Sequence, residues 1–286
     1  MVTLHLSNSR RCSLYKLDNR FAERSFTVTV VGCGGTGGFV AEELCRLLPE
    51  RAQLVLVDHD RVEPHNLLRQ HFYAADVGKF KSQALAERLA RQFGRPVGYC
   101  VYPYDSELID TEYGSGMVRP MAQGIIIGCV DNADARRSIA TDFNYTNWWI
   151  DAGNGYSSGQ VLIGNARNLF ELEGSFEEVT RQVGRLPMPS MQLPSLLIPP
   201  TVKDAAPRDC AESVFNEDQN PVINQAMGML VLEFIHRLLV GKLSWMGVYL
   251  DMEAGTLQTV PAEPEIVARM LGVRVDTLVM KNSKKR

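Results

Sequence analysis

The residues best placed to do chemistry surround a glycine-rich turn. Gly32-Cys33-Gly34-Gly35-Thr36-Gly37 satisfies G-x-G-x-x-G. Glycines in this pattern let backbone N–H groups approach a phosphate at a helix N-terminus, whose dipole favours negative charge. Asp58 follows 21 positions after Gly37, at the end of the next predicted strand, where a carboxylate can hold ribose hydroxyls. The pair points to a nucleotide and leaves NAD and ATP equally open. The competing reading is a glycine turn that serves only close helix–strand packing. The ordered succession of strand, turn, helix and acid weighs against it.

Those residues need elements to hold them. Residues 26–31 are apolar and β-branched, as in a strand buried on both faces. Residues 39–48 show helical spacing that Pro49 ends. Further strands are predicted at 53–57, 97–102, 124–130 and 148–152, and helices at 81–93 and 133–144. Strands alternating with helices imply an α/β fold with a parallel sheet and right-handed crossovers. The second half changes character. Residues 160–166 read as a strand. Six prolines, at 187, 189, 194, 199, 200 and 207, predict a long loop or lid over 185–210. Residues 220–239 read as a helix with Asn220 as cap and Pro221 in its first turn. Residues 245–251 and 256–260 read as a hairpin, so antiparallel strands continue the sheet. The expected division is an N-terminal extension (1–25), a nucleotide-binding half (26–165) and a C-terminal half (166–286) of one continuous domain.

Composition narrows the classes. The chain has 286 residues, 45% of them hydrophobic, enough for a full core. Its 30 Lys+Arg against 33 Asp+Glu exclude a strongly basic nucleic-acid binder and an acidic disordered chain. The longest uninterrupted apolar stretches fall short of the ~18–20 residues of a membrane span. Arg10, Arg11, Lys16, Asp18 and Arg20 leave no signal-peptide core near the N-terminus, so a cytoplasmic location is expected. Cysteines at 12, 33, 45, 100, 129 and 210 form no C-x-x-C pair, so no structural zinc is expected. Cys33, Cys45 and Cys129 read as packing residues. His59, His65, His71 and His236 lack metal-ligand spacing, with His59 and His65 read as solvated or capping residues at the edge of the site. Trp148 and Trp149 read as core or interface.

The segment Asp58-His59-Asp60-Arg61-Val62-Glu63-Pro64-His65-Asn66-Leu67-Leu68-Arg69-Gln70, followed by Val77-Gly78-Lys79-Phe80-Lys81, resembles the ATP-dependent activating enzymes of the ThiF/MoeB and ubiquitin-activating superfamily. So does Asp131-Asn132-Ala133-Asp134-Ala135-Arg136, which is similar to that family's D-N-x-x-x-R box. The motifs keep the family's order over residues 26–152. The stretch 26–38 together with 56–70 resembles most the branch found in plasmid PRTRC systems.

The resemblance implies adenylation of the C-terminal carboxylate of a small ubiquitin-like or sulfur-carrier protein, with ATP and Mg²⁺ as cofactors. It implies that Gly32, Gly34, Gly35 and Gly37 cradle phosphates and that Asp58 and Asp60 serve the nucleotide. Arg69 and Lys81 would neutralise phosphate charge, while Asn66 and Gln70 would bind phosphate or orient Arg69. Asp131 would hold Mg²⁺ beside Asn132, with a helix N-cap as the alternative or additional role. Lys79 competes with Lys81, and V-G-x-x-K spacing favours Lys81. Arg136 reads equally as a brace, a nucleotide contact or a solvated charge. Cys210 reads equally as an acyl-accepting nucleophile and as a spectator thiol. Arg20 is the candidate to complete a partner's site in a homodimer. The alternatives are an NAD(P)-linked oxidoreductase, a non-catalytic adaptor and the branch that activates a carboxylate on tRNA. A membrane or nucleic-acid partner is not expected.

Overall fold

Residues Phe26–Val31 carry apolar or β-branched side chains at every position, so this strand has no face to give to water. In the computed structural model, which describes residues 14–17, 25–104, 124–141, 147–199 and 221–280, it lies inside an eight-stranded sheet. Numbered along the chain, the strands are β1 Lys16–Leu17, β2 Phe26–Val31, β3 Ala52–Val57, β4 Gly98–Cys100, β5 Gly124–Gly128, β6 Asn147–Asn154, β7 Ser158–Gly164, β8 Phe176–Glu177, β9 Gln182–Val183, β10 Trp245–Asp251 and β11 Thr256–Pro261. The helices are α1 Gly35–Leu47, α2 Lys81–Phe93, α3 Ala133–Thr141, α4 Leu169–Leu172, α5 Pro189–Gln192, α6 Pro221–Leu239, α7 Pro264–Leu271 and α8 Val275–Leu278.

The main sheet runs β11-β10-β7-β6-β5-β2-β3-β4. Pairs from β4 to β6 are parallel, and β6, β7, β10 and β11 continue the sheet antiparallel. This is the expected α/β architecture. After β2 the chain first adds β3 and β4 on one side, then returns to place β5 and β6 on the other. The reversal opens a crevice at the carboxyl ends of β2 and β5, where ligands of open α/β sheets bind.

One apolar cluster joins both halves of the chain. Val28, Val30, Leu44, Leu56, Leu85 and Ile127 share it with Val231, Phe234 and Val248. Helix α6 lies against α1 and the β6–β7 side of the sheet. Gly228 permits this approach, because a Cβ there would lie 2.6 Å from the Phe39 ring. By length and composition alone α6 could cross a membrane, which the count of uninterrupted apolar runs did not show. Its Ile223, Met227, Val231, Phe234, Ile235 and Leu238 are fully buried, as in a core helix.

Two expectations need correction. Helix α1 starts at Gly35, four residues before the apolar spacing indicates, because glycines carry no periodic signal. The described part of the proline-rich segment is no open lid. Residues 185–199 form a strap with Leu186, Met188 and Leu196 buried, containing α5 and a 3₁₀ turn at Pro194–Leu197. Asn165 and Ala166 donate backbone N–H groups to the Leu186 carbonyl, and Met188 returns one to Ala166. These bonds replace the ladder that proline cannot extend. The rest of the predicted lid, residues 200–210, lies outside the described residues. The terminal helices α7 and α8 were not anticipated.

Residues 16–17 of the N-terminal extension form β1, in a small sheet of order β1-β9-β8. Removing the fully buried Phe234 ring tests the shared core. Phe234→Ala should lower the unfolding free energy by about 3–5 kcal/mol, read from denaturant midpoints at unchanged slope.

Candidate active site

The glycine turn between β2 and α1 is shaped by backbone approaching backbone. Gly32 holds φ +89°, and a Cβ there would lie 2.6 Å from the carbonyl oxygen of Cys129. A Cβ on Gly37 would overlap the Gly32 carbonyl, and one on Gly35 would overlap the Asn224 amide. Helix α1 therefore begins close to the sheet, and no side chain caps its first turn. Its leading N–H groups need acceptors from elsewhere. The turn is tied to β3 by Asp58, whose Oδ2 accepts the Cys33 N–H at 2.6 Å and whose Oδ1 accepts the Asp60 N–H at 2.8 Å. Burial raises the Asp58 pKa, against these two N–H groups and Lys81, which lower it.

One flank of the turn carries the residues after β3. Lys81 opens α2, is buried, and donates from Nζ to Asp60 Oδ2 at 2.9 Å. Lys79 is exposed, 3.9 Å from Asp76, and does not line the cleft. Asn66 is buried and its Oδ1 accepts the Glu63 N–H, which fixes the 3₁₀ turn Pro64–Leu68 that presents Arg69 to the cleft. Gln70 faces Gly34, and its buried Oε1 has no hydrogen-bond partner among the described residues.

The other flank forms at the exits of β5 and β6. Asn132 Oδ1 accepts the Ala135 N–H at 2.8 Å, so Asn132 performs the cap considered for Asp131. The Asp131 side chain sits exposed on the cleft lining. Arg136, one turn into α3, is neither solvated nor loose. Its Nε donates to both carboxylate oxygens of fully buried Asp151, at 3.0 and 3.3 Å. Burial raises Asp151 to about 6, although Arg136 opposes the shift. Thr36, Asn154 and Asn224 form a polar group joining α1, β6 and α6, and the buried Asn224 Nδ2 has no partner among the described residues.

These elements enclose a cleft of about 940 Å³ running from Tyr102 and Asp58, past the glycine turn, to Gln160 and Leu196 on the strap. It brings together Gly32, Gly34, Gly35, Asp58, Asp60, Asn66, Arg69, Gln70, Lys81, Asp131 and Asn132. Gly37 is buried in α1 and serves the approach to Gly32 instead of lining the cleft. Cys33 and Cys45 are buried. Burial pushes the Cys33 thiol well up, Cys45 to about 11 and Cys129 to about 12, values that suit packing and not nucleophiles. Cys210 and Arg20 lie outside the described residues. His59, His65 and His236 are exposed. Trp148 and Trp149 are buried core residues.

Among the described residues, Asp58, His59 and Asp60 are the one cluster close enough to share a metal. Its fit is poor, because Asp58 already accepts two N–H groups and Asp60 is held by Lys81. Asp131, a hard oxygen donor on the opposite flank, fits Mg²⁺ better. Sequence reasoning missed Asp151, Asn154, Gln160 and Asn224. An aspartate inside the apolar run Trp148–Ala152 is the single signal that pointed to one of them.

The ThiF family model matches residues 7–250. Ubiquitin-like modifier-activating enzyme 5 of Xenopus laevis is 33% identical over 138 residues, covering 46% of this chain and 34% of that protein. The chain thus spans about a third of the length of such curated relatives. Among solved structures, PaaA superimposes with TM-score 0.54 at 15% identity, covering 82% of this chain and 72% of that one. Escherichia coli MccB solved with ATP superimposes with TM-score 0.52 at 16% identity, covering 83% and 64%. MccB has also been solved with AMPCPP and MccA. At these identities the superpositions show a shared fold.

The Arg136–Asp151 pair generates a pH prediction. With Asp151 near 6 in the folded chain against an ordinary 3.8, the native state binds more protons between those values. The contribution of Asp151 to stability therefore falls as pH rises from about 4 to about 6. Relative to Asp151→Asn, the unmodified chain should lose stability across that window and run parallel to the variant above about pH 7. Denaturant curves at stepped pH read this, and a pH-independent difference would contradict it.

Proposed function

Because the chain belongs to the ThiF family, we propose that it is an ATP- and Mg²⁺-dependent adenylyltransferase. Its substrate would be the C-terminal carboxylate of a small ubiquitin-like or sulfur-carrier protein. The observation that carries this reading is the convergence of Arg69 and Lys81 on one flank of the glycine turn with Asp131 on the other. An NAD site would not call for such a pair of cations facing an acid, because NAD carries only a pyrophosphate, which the helix N-terminus receives.

In this reading the turn and the start of α1 receive the phosphates, and Asp58 receives the ribose. Asp60 holds the Lys81 ammonium toward the cleft, and Arg69 shares the triphosphate charge with it. A substrate carboxylate oxygen attacks the α-phosphorus, the bond from that phosphorus to the bridging oxygen breaks, and pyrophosphate leaves with that oxygen. The product is an acyl-adenylate, and no proton moves. Positive groups fixed beforehand around the triphosphate lower the cost of gathering charge there. Mg²⁺ held at Asp131 would supply Lewis-acid neutralisation of the phosphate oxygens. The motif 56–70 supports placing the chain in the PRTRC-associated branch. The family resemblance further supports a homodimer in which Arg20 reaches the partner's site, with Cys210 or another acceptor receiving the acyl group.

ATP–pyrophosphate exchange with a co-encoded small protein ending in glycine tests the reaction. Asp131→Ala and Lys81→Ala should each reduce exchange by roughly 10²–10³-fold, the scale of losing one preorganised electrostatic group. Lys79→Ala should leave it unchanged. Absence of exchange by the unmodified chain with every such protein would remove the adenylation reading. ATP·Mg²⁺ should raise the melting temperature and NAD should not.

A further inference from the structure

Gly153 on β6 pairs directly with Gln160 on β7. With no side chain at 153, the Gln160 amide crosses the space a Cβ would fill. Gln160 Nε2 lies 2.5 Å from that point, and Arg136 Nη2 lies 3.0 Å from it. One charged and one neutral donor therefore converge over a glycine on the cleft lining. Asp151 engages Arg136 through Nε, and Arg136 is itself on the cleft lining. Two convergent N–H donors, one of them from a guanidinium, match a carboxylate's two oxygens.

We propose that Arg136 Nη2 and Gln160 Nε2, converging over Gly153, form the subsite for the terminal carboxylate of the acyl substrate, with Asp151 as the positioning residue that aims Arg136. The inference rests on the adenylation reading and deepens it. Location selects a carboxylate over the triphosphate. Asn154, next to Gly153, lies 3.4 Å from the Thr36 hydroxyl in the first turn of α1, so the subsite adjoins the phosphate turn. It lies on the flank opposite Asp58 and Lys81.

The test uses the full chain, the ATP analogue AMPCPP with Mg²⁺, and a synthetic peptide ending in Gly-Gly, as the free acid and as the C-terminal amide. Titration calorimetry reads each affinity. The unmodified chain should prefer the acid. Gly153→Ala meets only the movable ends of Gln160 and Arg136 and is compatible with folding. It and Gln160→Leu should each weaken acid binding by roughly tenfold while AMPCPP affinity stays within about twofold. Asp151→Asn should lower the acid-over-amide preference, which a role in stability alone would not change. Equal binding of acid and amide by the unmodified chain, or no peptide binding beside intact AMPCPP binding, overturns the subsite. Equal weakening of AMPCPP and peptide overturns it too and assigns the donors to phosphate. Acid preference without AMPCPP binding keeps the subsite and removes the nucleotide reading.

Discussion

A side chain on Gly37 would have to occupy the place of the Gly32 carbonyl, and one on Gly32 would press on the carbonyl of Cys129. These backbone-to-backbone approaches set the position of α1, and the rest of the site depends on it. They bring the N-terminus of α1 onto the carboxyl ends of β2 and β5, where the sheet order reverses. Asp58 then locks the turn from the β3 side through the Cys33 N–H. Asn224 closes it from α6, against Gly35. The C-terminal half is thus part of the glycine turn's own packing, through a helix nearly two hundred residues along the chain.

The cleft holds its cations by pairing them. Lys81 is aimed by Asp60, and Arg136 by Asp151. The Asp60 carboxylate stays in water, whereas the Arg136–Asp151 pair is buried, and a buried ion pair is a weak source of stability because desolvation offsets the attraction. Orientation is the more telling consequence. A flexible ammonium and a guanidinium are each kept in one direction, on opposite sides of the glycine turn. Electrostatic work at such a site is effective when charges stand in place before the reaction begins.

The strap over 185–199 shows how proline can build instead of loosen. Pro187 and Pro189 cannot donate to a ladder, yet the carbonyls between and beside them remain good acceptors. Gln192 Nε2 donates to the carbonyls of Ile163 and Pro187, and Arg137 Nε to that of Leu197. The strap is thereby fastened to β7 and α3 and closes one wall of the cleft.

The order of amino acids alone determined most of the parallel half. Strand and helix periods, the glycine spacing and the acid after β3 are local signals, and each fell on the element expected. Asp58, Asp60, Asn66, Arg69, Gln70, Lys81, Asp131 and Asn132, all drawn from the motifs, meet at one cleft. Tertiary structure alone decided which of them are already engaged: that Asn132 caps α3, that Asn66 braces its own turn, and that Gly37 packs instead of facing the cleft. It alone brought Asp151 to Arg136, Gln160 over Gly153, and Asn224 to Gly35. Those contacts join residues up to 189 positions apart, from Gly35 to Asn224. Spacing along a chain encodes which face of one element a side chain occupies. Which other element meets that face follows from strand order and close packing, and these exist only once the sheet has formed.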